Sequence, residues 1–172
     1  MQEDRTSTGA PAPEAPAGRS ADRSVPPLDR VDRALLGQLL RDGRASVRAL
    51  AERLNLSRSA AYARLARLLD DGVITGFTAS ISPVRAGLGT SAFVGVSIEQ
   101  NTWRTLAPQL ADLPHVEHVA LLGGDFDALL LVRAPDNTAL RDAVLGRIQS
   151  LPGVRSTRTW LIFDEFERRP VL

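Results

Sequence analysis

The 172-residue chain contains no cysteine and no lysine. Without cysteine, disulfides and thiolate metal sites are excluded. Without lysine, all 21 basic side chains are arginine, a bias that fits a GC-rich coding sequence better than selection for guanidinium chemistry. No apolar run approaches the ~18–20 residues a membrane-spanning helix needs. The opening MQEDRTSTGAPAPEAPAGRS lacks the apolar core of a secretory signal, so the expectation is a cytoplasmic protein with no membrane partner. Phosphate-loop, nucleophile-elbow and dinucleotide fingerprints are also missing. The two histidines, His115 and His118, stand three apart at the start of an expected strand. Alternation sends them to opposite faces. No metal site, no cofactor and no catalytic residues are expected.

What is present suffices for a core: 44% of residues are hydrophobic. Charge is unevenly spread. Residues 28–89 hold ten arginines against six acidic residues, whereas residues 90–172 hold eight against ten. A basic segment beside a mildly acidic one outlines a nucleic-acid module joined to something else. Residues 1–27, rich in proline and alanine and poor in large apolar side chains, read as a disordered tail. A second short tail is expected at residues 167–172.

From Leu28 the pattern is helical. Leu28, Val31, Leu35 and Leu39 recur at three- and four-residue steps, and Gly43 follows as a helix stop. Ser46 can cap a second helix with Val47, Leu50, Ala51 and Leu54 on one face. Ser57 can cap a third with Ala61, Leu65, Leu68 and Leu69 inward. VITGFTASISP then suggests a strand hairpin through Val73, Ile74, Phe77 and Ile81. Three short helices and a β-wing make a winged helix-turn-helix, expected over residues 28–83.

A linker at residues 84–90 leads to a second pattern over 91–166. SAFVGVSIE alternates, with Ala92, Val94, Val96 and Ile98 on one face. A helix capped by Thr102 follows, with Trp103, Leu106, Ala107 and Leu110 on a stripe. HVEHVALL and ALLLVRA read as strands around a GGDFD turn. A helix opened by Asn137 turns Leu140, Val144, Leu145 and Ile148 inward, and VRSTRTWLIF closes as a strand. The order βαββαβ is the ferredoxin-like arrangement, giving an α+β chain whose sheet is covered on one face only. Phe93, Leu121, Leu129, Leu131, Leu161 and Phe163 can supply the other face, so a dimer built sheet on sheet is expected.

Two blocks carry a specific likeness. LDRVDRALLGQLLRDGRASVRALAERLNLS with GVITGFTASISP, and LPHVEHVALLGGDFDALLLVRAPD with LPGVRSTRTWLIFDE, resemble the Lrp/AsnC family of transcription regulators in order and spacing from about Leu28 to Glu165. The resemblance implies a DNA-binding domain and a domain for ligand binding and oligomerisation. It also implies homodimers assembling to tetramers or octamers, and a small effector, usually an amino acid.

In a helix-turn-helix the second helix of the pair enters the major groove. Here that helix starts at Ser57, and Ser59, Ala63 and Arg67 lie opposite its apolar side, flanked by Arg58, Tyr62 and Arg64. With Ser46 at the start of the preceding helix, these residues are the candidate contacts to double-stranded DNA. Arg64→Ala is expected to weaken DNA binding and leave the fold intact. The family's Gly-Asp-aromatic-Asp motif is matched by Gly124, Asp125, Phe126 and Asp127. A glycine turn offers backbone N–H groups to a carboxylate, and Asp127 can accept from an ammonium. Leu121, Asn137, Thr157, Thr159 and Leu161 complete the candidate effector site. Sirohaem decarboxylases share the architecture, but their histidine motifs have no match here. An architectural DNA-binding protein without a ligand response stays open as an alternative.

Overall fold

The computed structural model describes residues 27–99 and 101–166; both expected tails lie outside them, apart from Pro27. The chain divides into two compact units after Gly76. In the first, helix α1 spans Arg30–Arg41, α2 Val47–Arg53 and α3 Arg58–Asp70. Ser46 and Ser57 cap α2 and α3 by accepting from the backbone N–H groups of Ala49 and Ala60, which removes an orphan donor at each helix start. Asp29 caps α1 in a reciprocal pair with Asp32. Leu35, Leu36 and Leu68 are buried together, with Leu28, Leu39, Leu54, Leu65, Val73 and Ile74 packed around them. Leu69, expected inward, is 38% exposed.

The expected β-wing is absent. Residues 73–82 form no strand; Val73 and Ile74 pack on the helices, while Phe77 and Ile81 are exposed. A strand needs a hydrogen-bonding partner for its backbone, and Ile74 instead donates to the Leu68 carbonyl at the end of α3.

The second unit follows a short 3₁₀ turn at Val84–Ala86. Its strands are β1 Thr90–Ile98, β2 Val116–Leu121, β3 Ala128–Ala134 and β4 Val154–Ile162. Helix α4 spans Trp103–Ala111 and α5 Asn137–Arg141. The sheet order is β2-β3-β1-β4, with every neighbouring pair antiparallel, as the ferredoxin-like reading requires. Ala92, Val94, Val96 and Ile98 are buried with Leu130 and Val132 of β3 and with Leu106, Leu110, Leu140, Val144 and Ile148 of the helices.

Several details depart from the sequence reading. Helix α5 widens into a π-helical segment at Asp142–Ile148, so Gln149 donates five residues back to Val144. The wider turn buries Ala143 and leaves Leu145 55% exposed. Helix α5 does open at Asn137, with Asp136 before it as the cap, accepting from Ala139. Thr102 donates back to the Glu99 carbonyl and makes no cap bond. Trp103, placed on the inward stripe, is 45% exposed, with the Arg104 guanidinium over its ring.

Register also corrects the uncovered face. Paired residues across antiparallel strands share a face. Leu121 pairs with Ala128, and Leu161 with Ala92, which places both on the helix-covered side, exposed only because β2 and β4 are edge strands. Phe163 lies beyond β4 and is 95% exposed. The open face is instead Phe93, Leu131 and Trp160 in one row and Gly95, Leu129 and Arg158 in the next.

Candidate nucleic-acid interface and effector loop

Helix α3 shows two kinds of surface. Arg58, Ser59, Tyr62 and Ala63 are exposed, Tyr62 at 66%. Arg58 has no hydrogen-bond or ion-pair partner among the described residues. Ser57 Oγ accepts from Ala60 and shares a 3.1 Å hydrogen bond with Ser59 Oγ. Ser46, one helix earlier, spends its hydroxyl on the Ala49 cap.

Arg64 and Arg67 behave differently. Arg64 Nη1 donates to Asp29 Oδ2 at 2.6 Å and to Asp32 Oδ1 at 2.8 Å. Arg67 Nη2 donates to Asp32 Oδ2 at 2.6 Å, and Nη1 reaches Asp71 at 3.5 Å. Asp32 is 1% exposed. Burial pushes its carboxyl up, but hydrogen bonds from Arg67, the Asp29 N–H and Arg64 outweigh that and hold it at about 2. The Asp32 backbone N–H and then Arg64 lower Asp29 as well. The four side chains border an open cleft of about 560 Å³ with Ala60, Ala63 and Pro27. Sequence periodicity places Arg64 and Arg67 on a free surface; the structure ties both to the start of α1. Arg64→Ala therefore also removes a fold contact, contrary to the expectation of an intact fold. The pair Asp29-x-x-Asp32 was readable as a capping box, though nothing local in sequence tells that Asp32 faces α3.

The effector loop is anchored on the open sheet face. Asp127 N–H donates to the Val96 carbonyl at 3.0 Å, and Asp127 Oδ2 accepts from Ile98 N–H at 2.8 Å. Leu122 N–H closes the loop on the Asp127 carbonyl. Phe126 meets Trp160 edge to face with centroids 5.4 Å apart, and the Arg158 guanidinium sits over the Phe126 ring. Asp125 is exposed and without a partner among the described residues. The glycine argument changes: a Cβ on Gly123 or Gly124 would meet nothing, and neither residue has positive φ. Only the absence of crowding remains of it.

The remaining candidates do not gather around this loop within one chain. Asn137 Oδ1 accepts from Thr90 at the start of β1, whereas Asp127 grips its end at Ile98. Eight residues of strand separate them by about 25 Å. Leu121 and Thr157 lie on opposite edge strands, about 14 Å apart at the usual strand spacing. Thr157 Oγ1 already accepts from Gln149 at 2.6 Å, while Thr159 and Leu161 are exposed along β4. Trp160, Arg158 and Gly95 were missed; a glycine inside a strand signals close approach by another group.

A family model described as Lrp/AsnC ligand binding domain matches residues 91–172, and one described as winged helix-turn-helix DNA-binding matches residues 28–75. The chain belongs to the Lrp/AsnC family. It is 35% identical over 135 residues to an uncharacterized HTH-type transcriptional regulator of Pyrococcus abyssi, covering 78% of this chain and 85% of that one. It is 33% identical over 144 residues to the leucine-responsive regulatory protein of Escherichia coli, covering 82% and 88%. A Neisseria meningitidis transcriptional regulator, crystallised as an L-Met complex, superposes with a TM-score of 0.78 at 30% identity over 85% of this chain and 96% of that one. This Lrp/AsnC protein is thus a DNA-binding transcriptional regulator with a ligand-binding domain. No described helix is long and apolar enough to cross a membrane.

Proposed function

We propose that this regulator reads duplex DNA through the exposed face of α3 and is modulated by an amino acid held at the loop 122–127. The observation that carries the first half is the contrast along α3. Ser57, Arg58, Ser59, Tyr62 and Ala63 are exposed at its N-terminal half, the part that reaches base edges in this motif. Ser46 lies exposed at the start of the preceding helix, its hydroxyl on the Ala49 cap, where it could reach the DNA backbone. The N-terminal half of α3 offers a guanidinium, hydroxyls, a phenol and one methyl-sized gap, a set suited to guanine, phosphate and thymine contacts.

The effector half rests on Asp125. It is an unpartnered carboxylate beside backbone that glycine leaves uncrowded, and an amino acid needs an anion for its ammonium and N–H donors for its carboxylate. The Neisseria relative's L-Met complex supports this ligand class. Asp127, Leu121, Thr157, Thr159 and Leu161 would line the site only where protomers meet, because one chain spreads them over both sheet edges. Asn137, at the far end of the sheet beside Thr90, would come from a second protomer. Packing of the open faces, through Phe93, Leu129, Leu131 and Trp160, would make the homodimer, and dimers would assemble to tetramers or octamers. Ligand binding at a site shared by protomers would bias assembly, and assembly would bias DNA occupancy.

A thermal-shift screen of the twenty amino acids tests the effector half, since a ligand stabilises in proportion to its saturation. One ligand giving a shift of several degrees, lost in Asp125→Ala, supports the reading. No shift with any of the twenty favours the architectural alternative. Light scattering with and without that ligand gives the oligomer size.

A further inference from the structure

Two acidic residues beside a DNA-reading helix are electrostatically odd. Asp29 and Asp32 repel phosphate and partly cancel Arg64 and Arg67 on that helix. Helix capping alone does not need both carboxylates on Arg64. A serine at residue 29 would cap α1 as well.

The geometry supplies another reason. A guanidinium has five N–H donors on three nitrogens. Asp29 and Asp32 together take Nη1 of Arg64. Its Nε and Nη2 have no partner among the described residues, and the side chain is 30% exposed. The Nε–Nη2 edge is the side-on fork that grips two acceptors at once, such as O6 and N7 of guanine. Asp32 cannot wander: it is buried, and its Oδ2 also accepts from Arg67 and from the Asp29 N–H. Arg64 is thus held at one end by a rigid support and left open along one edge.

We propose that Asp29 and Asp32 are positioning residues for sequence discrimination: by holding Nη1 of Arg64 they present its Nε–Nη2 edge to the duplex in a fixed direction. This rests on the reading of α3 as the groove-entering helix. A fixed fork distinguishes bases, whereas a swinging guanidinium finds any phosphate. The carboxylates therefore lower affinity for DNA in general and raise it for the correct sequence.

The test uses the full chain, a duplex selected from a random pool by the unaltered protein, and a scrambled duplex of equal length. Asp29→Asn keeps a good capping side chain while removing the charge. It should tighten binding to the scrambled duplex several-fold and lower the ratio of selected to scrambled affinity about tenfold, the scale of one lost bidentate contact. The salt dependence should steepen by about 0.9 in log–log slope, as expected for one added phosphate contact. Asp42→Asn is the control. It removes an equal charge that faces Arg53 rather than Arg64, and should leave the ratio unchanged. In an Arg64→Ala background, Asp29→Asn should no longer alter the ratio. Asp32→Asn, checked for folding by circular dichroism, should repeat the Asp29→Asn pattern.

An unchanged ratio in Asp29→Asn overturns the proposal, as does an equal drop in Asp42→Asn. Arg58→Ala and Tyr62→Ala separate the two levels. If neither these nor Arg64→Ala weakens binding, the reading of α3 itself is wrong. If they weaken binding and Asp29→Asn leaves the ratio intact, only the positioning role fails.

Discussion

Phe126 lies directly over Gly95 on the open face of the sheet. A methyl group at residue 95 would come within 2.9 Å of the Phe126 ring and 3.0 Å of the Trp160 ring. The glycine is therefore a seat for the effector loop. Gly95→Ala should push Phe126 off the face and destabilise the sheet unit by about 1–3 kcal/mol, the range for overpacking. Phe126→Ala should free the Trp160 edge and cost at least the ~1 kcal/mol of an aromatic pair. Thermal unfolding checks both. Trp160 emission, read in a Trp103→Phe background, should shift red in either variant; an unchanged spectrum in Gly95→Ala would mean the loop has another seat.

The Asp32 carboxyl makes a pH prediction with a definite sign. Its folded value, about 2, is below the ordinary 3.8. A depressed carboxylate contributes stability that is fully present above the unfolded value and is lost as pH falls through the folded one. The α1–α3 unit should therefore weaken between about pH 4 and pH 2, by at most about 2 kcal/mol from this group. Unfolding followed by circular dichroism should show that Asp32→Asn is less stable at pH 7 and flatter across this window. Parallel curves for the two proteins would remove Asp32 from the acid transition.

Much of this architecture is legible because periodicity is local. The 3.6-residue stripe through Leu35 and the two-residue alternation through Val94 place their elements without knowledge of the partner. Where the reading failed, the missing information was non-local. Phe77 and Ile81 look like strand residues, but a strand exists only if another backbone pairs with it. Trp160 and Leu161 are adjacent and both apolar, so composition cannot say which faces the helices; register with Ala92 and Phe93 decides it. Arg64 meets acidic partners 32 and 35 positions earlier in the chain, which no helical wheel contains. The same limit applies to the effector candidates, whose motif residues are contiguous at Gly124–Asp127 while Asn137 lies at the other end of the sheet.

Arg133 is a second non-local device. It is 5% exposed on the open-face side of β3, bonded to Glu117, to Ser91 Oγ and, at 2.8 Å, to Glu165 beyond β4. Burial alone would lower its affinity for a proton, but Glu165 and Glu117 raise it. The two sides of this cluster should respond unequally. Arg133→Met leaves two carboxylates that can rehydrate, since Glu117 and Glu165 are 53% and 34% exposed, so about 1–2 kcal/mol is expected. The double variant Glu117→Ala/Glu165→Ala strands a buried guanidinium and should cost about 3–5 kcal/mol. Urea unfolding of both variants checks the order; because methionine keeps the aliphatic stem, a costlier Arg133→Met would mean that the guanidinium's bonds to Glu117, Ser91 and Glu165 outweigh the cost of leaving it unpaired.

The two aspartates of the effector loop should separate stability from sensing. Asp127 accepts the Ile98 N–H beside the bulge between Ser97 and Ile98, and its own N–H pairs with Val96. Asp127→Ala leaves a backbone donor without its acceptor, which costs about 1–3 kcal/mol, and loosens the loop whether or not it touches a ligand. Asp125 has no such duty, so Asp125→Ala should leave unliganded stability within about 0.5 kcal/mol, as for an exposed side chain without partners. If the loop senses an amino acid through Asp125, that variant should abolish the ligand-induced thermal shift while keeping the unliganded melting temperature. Asp127→Ala should lower both. Asp127→Asn keeps a carbonyl acceptor for Ile98 and should recover most of the unliganded stability without the charge. A full ligand response in Asp125→Ala, with loss only in Asp127→Asn, would move the ammonium contact to Asp127.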